Sequence, residues 1–343
     1  MARRTSNKIE PAVQTMVFTL PVPSGQRTKF IDLSQCASLL NRRFYRQGLN
    51  WAVAGFKFIS SPQGPTSTAS IQVNKLWNSW TMSNSWEKSM RAWLRMNREA
   101  MLENESVRPR FLDYKIFMNK DHHDLGFEGN LLPLGAAPFG GASSFAKRGE
   151  WEASKVVIPS QTTNVVQSFE LVAVGPNSPG VSPVTGLNAL SLVEGYASSR
   201  SLPAVLDPNV PDDAADPAQN WITSIFSDGT QQDDEVIDDM ISENNVAPYP
   251  FENGPDVDLP GTFLGDTQYV GGANNMPDLQ FHDIANVSQT TVGGTTRMKG
   301  GNFPCGLISI QTNGFDDLST MLVQIDLVPG SHRGYLCEPM TEM

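Results

Sequence analysis

Adjacent histidines occur once in the chain, in "DHHD" at 121–124, and imidazole beside carboxylate is the residue chemistry of a metal site. Adjacent side chains diverge, however, and His–Asp pairs in a turn after a strand are expected to be solvated. Two carboxylate clusters, "DPNVPDDAADP" (207–217) and "DGTQQDDEVIDD" (228–239), offer the hard oxygen donors that calcium takes. Neither has the spacing of an EF-hand loop. Calcium over 207–239 therefore competes with a plain acidic surface that keeps a particle soluble, and no other cofactor is expected. A G-x-S-x-G elbow, a Walker A loop, a G-x-G-x-x-G turn and H-E-x-x-H are all absent, so the chain does not read as an enzyme.

Two further runs combine cations with aromatics. In "NRRFYRQ" (41–47), Arg42, Arg43 and Arg46 are suited to phosphate contacts, with Phe44 and Tyr45 beside them for stacking. A basic turn that pairs with the acidic middle of a neighbouring chain is an equally open reading. Arg3, Arg4 and Lys8 add cations on an N-terminal arm too short to wrap much nucleic acid by itself. The second run, "WNSWTMSNSWEKSMRAW" (77–93), holds four of the seven tryptophans. Trp86, Met90 and Trp93 fall on one helical face, and Arg91, Arg95 and Arg98 occupy the others. Core or inter-subunit packing is therefore expected of these aromatics rather than base stacking.

The net charge of −11 hides a division. Residues 1–120 hold eighteen Lys and Arg against seven Asp and Glu, whereas 201–296 hold no Lys or Arg and seventeen Asp and Glu. Such a split marks one polyanion-facing surface and one acidic, solvent-facing one. Three scattered cysteines, Cys36, Cys305 and Cys337, suit free thiols rather than a disulfide framework. No apolar run is long enough to span a membrane, and "MARRTSNKIEPAVQ" lacks the apolar segment of a secretory signal.

The elements that must position these residues are mainly strands. Period-two or β-branched runs occur at 11–23, 51–60, 66–77, 110–119, 151–160, 165–175, 278–292, 305–313 and 319–329. In "WAVAGFKFIS" strict alternation puts Trp51, Val53, Gly55, Lys57 and Ile59 on one side and Phe56 and Phe58 on the other. "ASLLNRRFYRQG" is ambiguous between helix and loop. Helical spacing runs from Ser85, a candidate cap, to Met101, and recurs in "LNALSLVEGYASSR" and "DDEVIDDMI". The sum predicts an all-β fold: a single jelly-roll antiparallel sandwich with an inserted helix and a large acidic loop insertion. The expected division is a basic arm (1–10), a first sandwich part (11–175), the acidic insertion (176–276), and a second sandwich part with the C-terminal tail (277–343).

The run "WTMSNSWEKSMRAWLRMNREAMLENESVRPRFLDYKIFMNKDHHD" (80–124) resembles capsid proteins of small circular single-stranded DNA viruses that encode a rolling-circle replication protein. "WAVAGFKF" (51–58), "GEWEASKVVIP" (149–159) and "VQIDLVPGSHRGYLCEPM" (323–340) are similar to the same group. The acidic middle matches nothing in it, and the long Arg-rich arm of many members is stunted here. The resemblance implies a coat protein that self-assembles into an icosahedral shell around circular single-stranded DNA. It further implies assembly inside the host cell, in the nucleus, residence in the virion, and no membrane partner. The competing class is a non-viral carbohydrate-binding or adhesin-like β-sandwich.

Overall fold

The computed structural model describes residues 12–22, 25–60, 68–98, 102, 106, 113–135, 146–159, 166–177, 180–198, 276–288, 291, 294–315 and 319–341. In chain order the elements are β1 (Thr15–Val22), β2 (Arg27–Asp32), α1 (Leu33–Leu40), β3 (Leu49–Ser60), β4 (Thr68–Lys75) and α2 (Trp80–Met96). There follow α3 (Lys120–Leu125), β5 (Val156–Pro159), β6 (Val166–Val172), β7 (Ala189–Ser191) and α4 (Leu192–Ser198). The C-terminal part supplies β8 (Gln280–Ser288), β9 (Thr295–Phe303), β10 (Leu307–Asn313), β11 (Ser319–Leu327), β12 (Pro329–Gly330), β13 (Gly334–Tyr335) and β14 (Cys337–Pro339).

Two compact units result. The first comprises Met1–Asn78, Phe127–Trp151 and Gln280–Glu342, and the second Ser79–Gly126 and Glu152–Leu279. The first is an all-β sandwich. One sheet has the order β1-β11-β3-β9, with β14 also on β3, and the other has the order β2-β10-β4-β8, every pair antiparallel. Period-two alternation turns Met16, Phe18 and Leu20 of β1, Ile71 and Val73 of β4, Ile308 and Ile310 of β10, and Val323 and Ile325 of β11 into one shared core. Each such side chain contributes roughly 1.5–3 kcal/mol by leaving water.

Strand β3 breaks the strict alternation. Gly55 faces Asp326 of β11, but Val53 faces Leu327, so Ala54 is an extra residue on β3. This bulge reverses the phase, and Trp51, Val53, Phe56 and Phe58 all enter the core. Lys57 is thereby left on the opposite face from Trp51, the reverse of what alternation predicts. The strands are close here: a Cβ on Gly300 of β9 would stand 2.0 Å from the Val53 carbonyl oxygen.

The second unit lies wholly in the connection between β4 and β8. Helix α2 begins at Trp80, capped by Ser79, whose Oγ accepts from the Met82 amide at 3.3 Å. The expected cap, Ser85, is instead inside the helix and donates its hydroxyl to the Thr81 carbonyl at 2.6 Å. The runs expected at 151–160 and 165–175 do form strands, β5 and β6. They pair antiparallel, and β7 joins β6 in parallel, as a separate small sheet. Of the strand expected at 110–119, the described part makes a single bridge, Phe117 to Val172. Strand β9 corresponds to none of the expected runs, and the "DDEVIDDMI" segment lies outside the described residues. No helix among the described residues is long and apolar enough to cross a membrane.

Candidate nucleic-acid interface

The segment between α1 and β3 is built from its buried end outward. Asp32 caps α1, its Oδ1 accepting from the Ser34 and Gln35 amides at 2.9 and 3.2 Å. Its Oδ2 accepts from Gln47 Nε2 and from Trp151 Nε1, both at 3.1 Å. The carboxyl is completely buried, and burial outweighs these four donors, pushing its pKa up to about 6. Asp32 thus ties the helix start, the far end of the 41–47 run and Trp151 to one point.

Tyr45 plugs the same segment. It is 1% exposed, packs on Trp51 and Tyr335 with ring centroids 5.8 and 5.4 Å away, and donates its hydroxyl to the Arg333 carbonyl at 2.8 Å. Its own amide donates to Ser38 Oγ at 2.8 Å. Asn41 closes the helix: its Nδ2 donates to the Ala37 carbonyl and its Oδ1 accepts from the Val13 amide. With Asn41, Tyr45 and Gln47 so anchored, Arg42, Arg43, Phe44 and Arg46 are exposed. Phe44 is 47% exposed and lies 5.8 Å from Trp151, ring centre to ring centre.

A fourth exposed arginine joins them from the distant C-terminal segment. Arg333 holds a left-handed backbone (φ 51°) and its guanidinium donates to the Phe44 carbonyl. The result is a half-exposed aromatic ring among Arg42, Arg43, Arg46 and Arg333, the set that phosphate contact with base stacking requires. Tyr45, expected beside Phe44 as a stacking ring, is corrected: buried among Trp51 and Tyr335, it is a structural plug. No motif in the sequence points to Arg333, which stands 289 positions from Phe44; only the folded contact joins the two.

Arg3, Arg4 and Lys8 lie outside the described residues, as does the carboxylate region 207–239 weighed for calcium. Among the described residues no group of three or more His, Cys, Asp or Glu is arranged to hold a metal ion. The "DHHD" histidines are not solvated as expected. They sit in the short helix α3, both fully buried, and diverge. His122 Nδ1 accepts from the Met118 amide at 3.1 Å, while His123 Nε2 meets Glu170 Oε2 at 2.8 Å. Thr185 donates to the same Glu170 oxygen at 2.8 Å.

The tryptophan helix α2 buries Met82, Ser85, Trp86, Ser89, Ala92 and Trp93. Trp86 and Trp93 both contact the Tyr114 ring, at 5.8 and 5.5 Å, and Trp93 Nε1 donates to the Lys155 carbonyl at 3.1 Å. Met90 lies at the flank of this face, half-buried. Arg91 and Arg95 are exposed on the rest of the helix, and Arg98 is exposed just beyond its end. Comparison of the chain with family models, with curated proteins and with solved structures finds no match.

Proposed function

We propose that this chain is the coat-protein subunit of a small circular single-stranded DNA virus, that its sandwich is a jelly roll, and that copies of it assemble into an icosahedral shell around the genome. The observation that carries the reading is the strand order. Taking the eight long strands of the first unit in sequence, one sheet holds the first, eighth, third and sixth, and the other the second, seventh, fourth and fifth. That is the order two nested Greek keys produce, the arrangement common in viral capsid domains. The arginine cluster around Phe44 supplies a surface for a sequence-independent polyanion. The acidic stretch 201–275, with fifteen Asp and Glu and no Lys or Arg, would repel the same polyanion, which suits the solvent side of a shell.

The test is negative-stain electron microscopy of the purified protein, with the ratio of absorbance at 260 and 280 nm taken on the same fraction. Uniform closed shells with a raised ratio are expected. A small species that stays small across salt and pH would sink the coat reading and favour the carbohydrate-binding sandwich.

A further inference from the structure

The outward face of the β1-β11-β3-β9 sheet carries three cations that no sequence motif singles out. By register, one row across the sheet is Val17, Gln324, Lys57 and Arg297, and the next is Thr15, Asp326, Gly55 and Lys299. None of these residues belongs to the sandwich core. The bulge at Ala54 is what turns Lys57 to this side. Arg297 and Lys299 are exposed, two residues apart on one strand, and therefore about 7 Å apart along it.

Lys57 and Arg297 stand directly opposite one another on adjacent strands. Like charges in that position destabilise a sheet. No ion pair to Lys57, Arg297 or Lys299 is found among the described residues. The carboxylate on the face, Asp326, is engaged by Thr15 at 2.7 Å and by Gln324 at 3.1 Å. Asp283, on the neighbouring β8, spends its oxygens on the Ile284 and Lys299 amides. The Lys299 backbone is fixed further by His282, whose Nε2 donates to the Lys299 carbonyl at 3.0 Å. Lys75, on β4 of the other sheet, donates to the Asn302 carbonyl at 3.0 Å, and its pKa is lowered by burial and then by the charge of Lys299.

We infer that this sheet face is a second contact surface for the phosphate backbone of single-stranded nucleic acid, separate from the arginine cluster around Phe44. The inference rests on the coat-protein reading for its partner. Lys and Arg beside neutral hydroxyls, here Thr19 and Thr295 in the adjoining row, are the residue types that contact phosphate. The rows contain no aromatic side chain, so the contact is to the backbone and indifferent to base identity. An anion bridging Lys57 and Arg297 would relieve their mutual repulsion, which the folded chain alone leaves standing.

The experiment uses the full chain and a fluorescein-labelled thirty-nucleotide oligo(dT), with anisotropy followed from low to high NaCl. The triple variant Lys57→Gln, Arg297→Gln, Lys299→Gln should bind about a hundredfold more weakly at 0.1 M salt, with a log–log salt slope smaller by about 2. Without DNA, Lys57→Gln alone should melt no lower than the parent chain, because it removes a repulsion. An unchanged slope in a folded triple variant overturns the inference. So does equal loss of polyglutamate binding with polyglutamate displacing oligo(dT), which would make the face a dock for an acidic peptide such as the 201–275 stretch of another copy. If the parent chain forms no shells yet the triple variant still loses oligo(dT), the coat reading fails and this surface stands.

Discussion

The 41–47 segment and helix α2 share a composition, aromatics interleaved with arginines, and put it to opposite use. In α2 the 3.6-residue period sorts the two kinds of side chain: Trp86 and Trp93 go inward, and Arg91 and Arg95 outward. In the irregular 41–47 segment no period sorts them. Tyr45 and Gln47 are drawn in by their hydrogen bonds, and Phe44 is left outside among the arginines. An aromatic near cations is a stacking candidate only where the backbone keeps both on the surface.

Breaking the buried side of the comparison has the largest effect. Trp93→Ala should cost about 3–5 kcal/mol, because a large ring and its bond to the Lys155 carbonyl are both lost. An unchanged melting temperature would mean the ring is not packed as described. The anchor of the 41–47 segment can be tested through pH. Asp32 has a folded-state pKa of about 6 against an ordinary 3.8, so the fold favours its protonated form. Its contribution to stability is full below about pH 4 and is lost as pH rises through about 6, amounting to about 3 kcal/mol. The stability difference between the parent chain and Asp32→Asn should shift by that amount between about pH 4 and 7, and denaturant titrations at both ends check it.

The exposed side is sharpened by Phe44→Ala, which should weaken oligo(dT) binding by about 1–3 kcal/mol and leave the melting temperature nearly unchanged. Replacing Arg42, Arg43 and Arg46 together by Ala should lower the salt slope of the same binding, and an unaltered slope would remove this segment from the interface. Arg91→Ala in α2 is the smallest change. It breaks only an exposed ion pair with Glu87 one turn away, worth about 0.3–0.5 kcal/mol, and should not alter DNA binding.

Much of the sandwich was legible because period two survives wherever one strand face is buried. Strands β1, β3, β4, β8, β10 and β11 all follow runs of that kind. Strand β9 was not legible: as an edge strand with Arg297, Lys299, Gly300 and Gly301 it buries little beyond Met298 and Phe303. The start of α2 was misplaced because Ser79 and Ser85 are equally good caps in one dimension. Which of them caps depends on where the backbone turns, and Ser85 is left to bond within the helix.

The sequence by itself determined the all-β character, the inward face of the tryptophan helix and the exposed arginines at 42, 43 and 46, because these follow from local period and charge. Tertiary structure alone decided that Tyr45 is a plug, that Arg333 joins Phe44, and that a bulge at Ala54 turns Lys57 toward Arg297. Each of these depends on register between strands or on contacts hundreds of residues apart, and neither leaves a trace in local spacing.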